Sequence, residues 1–241
     1  MSLYVYCLGD DLSGAAFEGL GGVCGARARV LALGSLAAVV SEPGDVAVNE
    51  ENLLAHNRVN AAALAVTTPL PCRFGTRAAP ERLAEYAAAN AEALAAALAR
   101  VRGRVEMSVK LMAKSEVGSR KAEVENEAAG VVEASAGAGT AFLLKKRREF
   151  LGEEGARRRA EDAAAWLASG VGELARETAA RLSPSEAIFV RAAHLVESAR
   201  VAEYRARLRA LAAERRDLRL LISGPWPPYS FSEISGQNHP R

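Results

Sequence analysis

The order of short β-branched runs and alanine-rich stretches in the first 112 residues leaves few folds open to this chain. Leu3 to Leu8 is an unbroken apolar run of β-branched and aromatic character, stopped by Gly9-Asp10-Asp11, and predicts a buried strand and a turn. Residues 12–28 are rich in glycine and read as loop. Arg29 to Leu33, Gly34-Ser35 and Leu36 to Ser41 have the form of a hairpin. Asn49, followed by Glu50 and Glu51, is placed to cap a helix that runs to about Val66, because carboxylates favour the positive end of the helix dipole. Pro69-Leu70-Pro71-Cys72-Arg73-Phe74-Gly75 must be extended and at a sheet edge, since each proline removes a donor and restricts its predecessor. Pro80 opens a second helix, expected to run to about Arg102, and Val105 to Met112 is a strand again. This order predicts an α+β fold, with an N-terminal ferredoxin-like antiparallel sheet and its helices on one face.

The second half reads as a separate α+β domain. Boundaries fall at 1–103 and 104–241. Residues 113–139 have no apolar period and are expected to be a mobile loop. A long helix is expected over 140–182. Ala160, Ala164, Leu167, Val171, Leu174 and Thr178 recur at spacings of four and three along it, a coiled-coil-like stripe that would face a partner helix. Ala187 to Val196 is apolar, Glu197 to Glu214 reads as helix and Asp217 to Ile222 as strand. With Val105 to Met112 as the first strand, this half can form a βαββαβ unit with a stretched first helix.

Composition narrows the function. Half the residues are hydrophobic, but roughly a fifth of the chain is alanine, and only 5% is aromatic, so the aromatic positions carry information about packing or recognition. The 31 basic and 29 acidic side chains nearly cancel, so no whole-molecule field draws the protein to nucleic acid or anionic lipid. Cys7, Cys24 and Cys72 are odd in number and far apart, which argues against a disulfide framework or zinc site and fits a reducing cytoplasm. Neither a secretion leader nor a membrane span is expected.

Four stretches then resemble the gas vesicle protein F/L family. They are Tyr4-Val5-Tyr6; Pro69 to Thr76; Gly139-Thr140-Ala141-Phe142-Leu143 leading into Lys145; and Ser223-Gly224-Pro225-Trp226-Pro227-Pro228-Tyr229-Ser230-Phe231. The last is the most specific, being improbable in a chain so poor in aromatics. Two departures are Met107, where such proteins would have an aromatic, and Cys72, at a position more usually apolar. The resemblance implies an accessory protein that binds the major gas vesicle shell protein and other gas vesicle accessory proteins and helps assemble the wall at or near its gas-facing side; the residues themselves offer no catalytic constellation, so no enzyme activity, cofactor or metal is expected.

Partner-binding candidates are Arg73, Phe74, Pro225, Trp226, Pro227, Pro228, Tyr229 and Phe231. Prolines hold a segment extended with few donors to satisfy, and aromatic side chains offer rigid contact area at low entropic cost. The same residues could instead lock the tail against the other half, which is the commoner fate of aromatics. Arg73 is expected in an ion pair, and the basic residues at 145–148 and 157–159 in a salt-bridged helix face. An alternative reading is a nucleotide-binding enzyme that uses the glycines of 19–25 and an interdomain cleft. Against it, Cys24 stands at the third glycine position, and His56, His194 and His239 are isolated from one another. A third reading is an oligomer built on the helix stripe.

Overall fold

The structure, a computed structural model, describes residues 2–114, 138–184 and 186–232, with only the backbone of 138–151. The loop expected over 113–139 falls almost wholly outside the described residues.

The first sheet is built from β1 (Leu3–Gly9), β2 (Arg29–Leu33), β3 (Leu36–Ser41) and β4 (Leu70–Pro71), in the order β2-β3-β1-β4. A two-residue strand, β5 (Arg77–Ala78), also pairs with β1, and every pairing is antiparallel. The hairpin forms as the sequence predicts, with Gly34 supplying the positive φ of its turn. The proline-rich stretch lies at the sheet edge, where the missing donors cost nothing, and Cys72 N donates to Tyr6 O at 2.7 Å.

Helix α1 (Glu50–Val66) crosses from β3 to β4 and is capped by Asn49, whose Oδ1 accepts from Asn52 N at 2.8 Å. Replacing this oxygen leaves an orphan donor, so Asn49→Ala is expected to lower stability by about 1 kcal/mol in urea unfolding. An unchanged midpoint would show that water serves the helix end equally well.

The stretch expected as one helix to Arg102 is two, α2 (Pro80–Ala89) and α3 (Ala91–Val101). Asn90 breaks it, at φ −116° and ψ 17°, and its side-chain amide donates to Tyr86 O at 2.8 Å. Asparagine competes for backbone partners in this way, which weakens it inside helices.

The second sheet contains β6 (Arg104–Ala113), β7 (Glu177–Leu182), β8 (Ile188–Glu197) and β9 (Leu218–Trp226), in the order β7-β8-β6-β9. Helix α4 (Ala138–Val171) joins β6 to β7 and α5 (Val201–Glu214) joins β8 to β9. Each sheet therefore places its second, third, first and fourth strands side by side, the ferredoxin-like arrangement. In the first sheet, two 3-10 turns (Gly14–Phe17 and Val23–Gly25) stand where the first crossover helix would be.

Helices do not cover only one face of the first sheet, as expected. Tyr4, Tyr6 and Val39 pack with Val59 and Ala63 of α1 on one face, while Leu3, Val5 and Val40 pack with Leu83, Leu94 and Leu98 of α2 and α3 on the other. That second cluster continues into Ala193, Leu195 and Phe231 of the C-terminal half. On the far side of the second sheet, Met107, Val109 and Leu111 pack with Leu167 of α4 and Leu208 of α5.

The helix expected over 140–182 stops at Val171, and Glu177–Leu182 forms β7 instead. Gly172 takes φ +52°, and β7 pairs with β8 along six residues, satisfying a backbone edge that helix would leave open. Such a ladder outweighs the few tenths of a kcal/mol by which helix propensities differ. The stripe is correspondingly shorter. Ala160, Leu167 and Val171 are buried in the chain's own core, with Leu167 only 1% exposed, whereas Leu174 lies in a 3-10 turn and Thr178 on β7. The partner of the stripe is thus α5 and the second sheet, and the reading of an oligomer seam loses its basis.

Candidate partner-binding surface

The terminal run divides into a buried anchor and an exposed strip. Strand β9 ends in Pro225 and Trp226, and the chain then turns back across the molecule through Pro227, Pro228 and a 3-10 turn, Tyr229–Phe231. Pro227, Pro228 and Phe231 are buried, the last at 4% exposure. Glu106, itself buried on β6, accepts from Ser230 N at 2.7 Å and from Ser230 Oγ at 3.0 Å. Burial pushes its carboxyl above the ordinary carboxylate range, against the pull of those two bonds. Arg100 of α3 donates to Phe231 O, and Arg205 Nη2 to Gly224 O at 2.6 Å. Gly224 sits at φ +114°, and a Cβ there would lie 2.7 Å from Glu106 O, so this crossing needs glycine.

Tyr229 reaches a cluster of rings in the first half. His56, on α1, is 6.4 Å from the Tyr229 ring, 5.7 Å from Phe74, 5.8 Å from Tyr4 and 5.6 Å from Tyr6. The imidazole is held at both nitrogens, Nδ1 lying 3.0 Å from Tyr4 Oη and Nε2 3.1 Å from the Asn60 amide. Burial pulls its pKa down to about 4, against the Cys72 backbone, so it is neutral at pH 7. Of the eight candidates, then, the structure joins Phe74 and Tyr229 around His56 and buries Pro227, Pro228 and Phe231 as packing. Arg73 is exposed on the turn after β4, where its carbonyl accepts from Thr76 N and Oγ1. Pro225 and Trp226 remain exposed.

Trp226 is 43% exposed and does not stand alone, for Leu221 and Ile222 on the same strand are 38% and 36% exposed. β9 lies at the end of its sheet and pairs only with β6 among the described residues. Its free edge, flanked by Leu221 and Trp226 on one face and Ile222 on the other, is the kind of surface on which another chain adds a strand.

The glycine loop is built differently from a phosphate cradle. Val23 N donates to Tyr6 Oη at 2.8 Å, Cys24 N to Asn52 Oδ1 at 2.9 Å, Gly22 N to Ala26 O and Gly25 N to Gly22 O. These four amides are engaged within the protein and are not turned towards a ligand as a phosphate cradle requires. The two halves pack directly on one another through Leu195, Phe231 and residues of α3. Among the described residues, no three His, Cys, Asp or Glu side chains group as metal ligands, and no helix is long and apolar enough to cross a membrane.

Residues 2–233 match the family described as gas vesicle synthesis protein GvpL/GvpF. The chain belongs to this family. It is 31% identical over 246 residues to gas vesicle protein F of Streptomyces sp. (strain CB03234), covering 97% of this chain and all of that one. Its fold is similar to the crystal structure of GvpF from Anabaena sp. PCC7120, with a TM-score of 0.79 at 20% identity, over 100% of this chain and 99% of that one. It is similar also to GvpF from Microcystis aeruginosa, with a TM-score of 0.76 at 17% identity, over 97% and 99%. As a GvpL/GvpF protein, the chain has its role in gas vesicle formation.

Sequence reasoning passed over Glu106 and His56 as parts of this region. A carboxylate on a strand and a histidine on a helix gave no local sign that both would meet the terminal segment, 124 residues away in the case of Glu106 and Ser230.

Proposed function

We propose that this GvpL/GvpF protein binds the major gas vesicle shell protein and thereby assists assembly of the wall. The observation that carries the reading is the division of the terminal run, in which Phe231 and its neighbours are fixed inside while Trp226, Leu221 and Ile222 remain outside on an open strand edge. A large exposed tryptophan on a rigid support suits the anchor residue of an interface. An open strand edge with exposed apolar side chains on both faces also suits a position at the gas-facing side of the wall, where these would meet an apolar surface instead of water.

Binding of the full chain to the major shell protein, followed by biolayer interferometry, should weaken about 30-fold in Trp226→Ala, the size expected of an interfacial tryptophan. Thermal unfolding of the variant should stay within about 0.5 kcal/mol of the parent, because the side chain is exposed. Equal binding by parent and variant would remove Trp226 from the interface. Absence of any binding by the parent would remove the shell protein as partner.

A further inference from the structure

The pairing registers of the second sheet place three cations in one row. Arg181 on β7 stands opposite Arg191 on β8, and Arg191 opposite Lys110 on β6, while Lys110 is opposite Leu221 on β9. Directly paired residues of antiparallel strands point to the same face. This is the face that carries Leu195 and Ala193 towards the first half, and the row lies farther along the strands from them. Arg181 and Lys110 are exposed and Arg191 is half-buried. Arg219, two positions from Leu221 on β9, adds a fourth cation to the same side.

Like charges directly opposite each other on a sheet oppose folding. Glu186 relieves the row at its centre, pairing with Arg191 at 2.8 Å and feeling Arg181 through space, and the two arginines together hold its carboxyl below the ordinary range. Arg181 is 4 Å or less from no acidic group among the described residues, and the same holds for Lys110 and Arg219. In a molecule of net charge +2, so local a concentration is not a consequence of overall basicity.

We infer that this face is a docking site for an acidic amphipathic helix of a partner protein, lying across strands β7, β8 and β6. Charge complementarity selects the partner, and spacing selects its form. Neighbouring strands are about 4.8 Å apart, so the three cations recur at about that interval along a line of roughly 10 Å. On an α-helix, carboxylates at i, i+4 and i+7 recur at intervals of about 6 and 4.5 Å along one side. Three carboxylates on successive turns can therefore each meet one cation. Leu221, the next member of the row, offers an apolar contact to the following turn of the helix. Glu186 keeps Arg191 oriented in the free protein and would share it in the complex. By the same pairing rule Leu221 and Trp226, opposite Lys110 and Glu106, lie on this face and Ile222 on the other, and the site does not depend on the shell protein being the partner.

The test uses the full chain and a fluorescent 15-residue helical peptide with glutamate at i, i+4 and i+7 and leucine at i+11, read by fluorescence anisotropy at 50 mM and 300 mM salt. The peptide should bind at low salt and bind at least about tenfold more weakly at high salt, as exposed ion pairs do. Lys110→Gln with Arg181→Gln should weaken binding about tenfold, and the same peptide with glutamine for glutamate should not bind. Relief of like-charge opposition predicts a melting temperature for the double variant equal to or above the parent's. Failure of the acidic peptide to bind, or equal binding by the double variant, overturns the inference. So does a lowered melting temperature, which would make the row part of the fold's stability, or tighter binding of a single-stranded oligonucleotide than of the peptide, which would make nucleic acid the ligand.

Discussion

Acidification from pH 6.5 to pH 4 is expected to remove on the order of 5 kcal/mol of folding stability through two buried histidines alone, roughly 2.5 kcal/mol from each. His56 and His194 are both almost fully buried, and burial pulls each pKa from 6.5 down to about 4. Between those values the unfolded chain binds more protons than the folded one, so stability is intact above about 6.5 and falls as the pH drops towards 4. His194, on β8, contacts Tyr204 Oη on α5 through Nδ1, while its buried Nε2 has no hydrogen-bond partner among the described residues. Among the described residues no acceptor stands ready for the second N–H that protonation creates. Glu106 acts in the opposite sense, because a carboxyl pushed up by burial holds its proton more tightly when folded. Urea unfolding at half-unit intervals of pH should show the loss, and His56→Gln and His194→Gln should each flatten the slope over that range. A double variant with the parent's slope would assign the acid sensitivity to surface carboxylates. Since domains of this size are stable by about 5–15 kcal/mol in total, an effect of this magnitude decides whether the fold survives at pH 4.

Phe231→Ala should be the most damaging change in the terminal run, costing about 3–5 kcal/mol in urea unfolding at pH 7. Phe231 packs in the cluster that Leu195 and Ala193 of β8 share with Leu94, Leu98 and Val101 of α3, so its loss opens a cavity where the two halves meet. The Tyr229–Phe231 turn would lose its central contact, and with it the leverage of Glu106 on Ser230. Tyr229 should then leave the His56 rings, visible as a change in near-ultraviolet circular dichroism. A cost below about 1 kcal/mol would mean that the tail detaches without disturbing either half. The contrast with Trp226→Ala, five residues away and nearly neutral for stability, is the sharper result, since it separates anchoring from binding within one short segment.

The legibility of these features in the sequence follows the range of the interactions that make them. The Arg29–Ser41 hairpin, the Asn49 cap and the edge position of Pro69–Pro71 could be read directly, because each depends on turn geometry or missing donors within a few residues. Resemblance to the GvpL/GvpF family was likewise carried by short runs, above all Gly224 to Phe231. The end of α4 could not be read that way. Residues 172–182 have no strong local preference, and their fate was settled by the open edge of β8.

The sequence by itself determined the α+β class, the order of most elements, the family, and which aromatic segment would matter. Only the tertiary structure decided which of those aromatics are anchors and which are exposed, that helices cover both faces of the first sheet, and that Arg181, Arg191 and Lys110 form one row. The physical reason is that local signals fix conformation along the chain, whereas burial and cross-strand neighbours depend on register between segments separated by tens of residues, which no local pattern encodes.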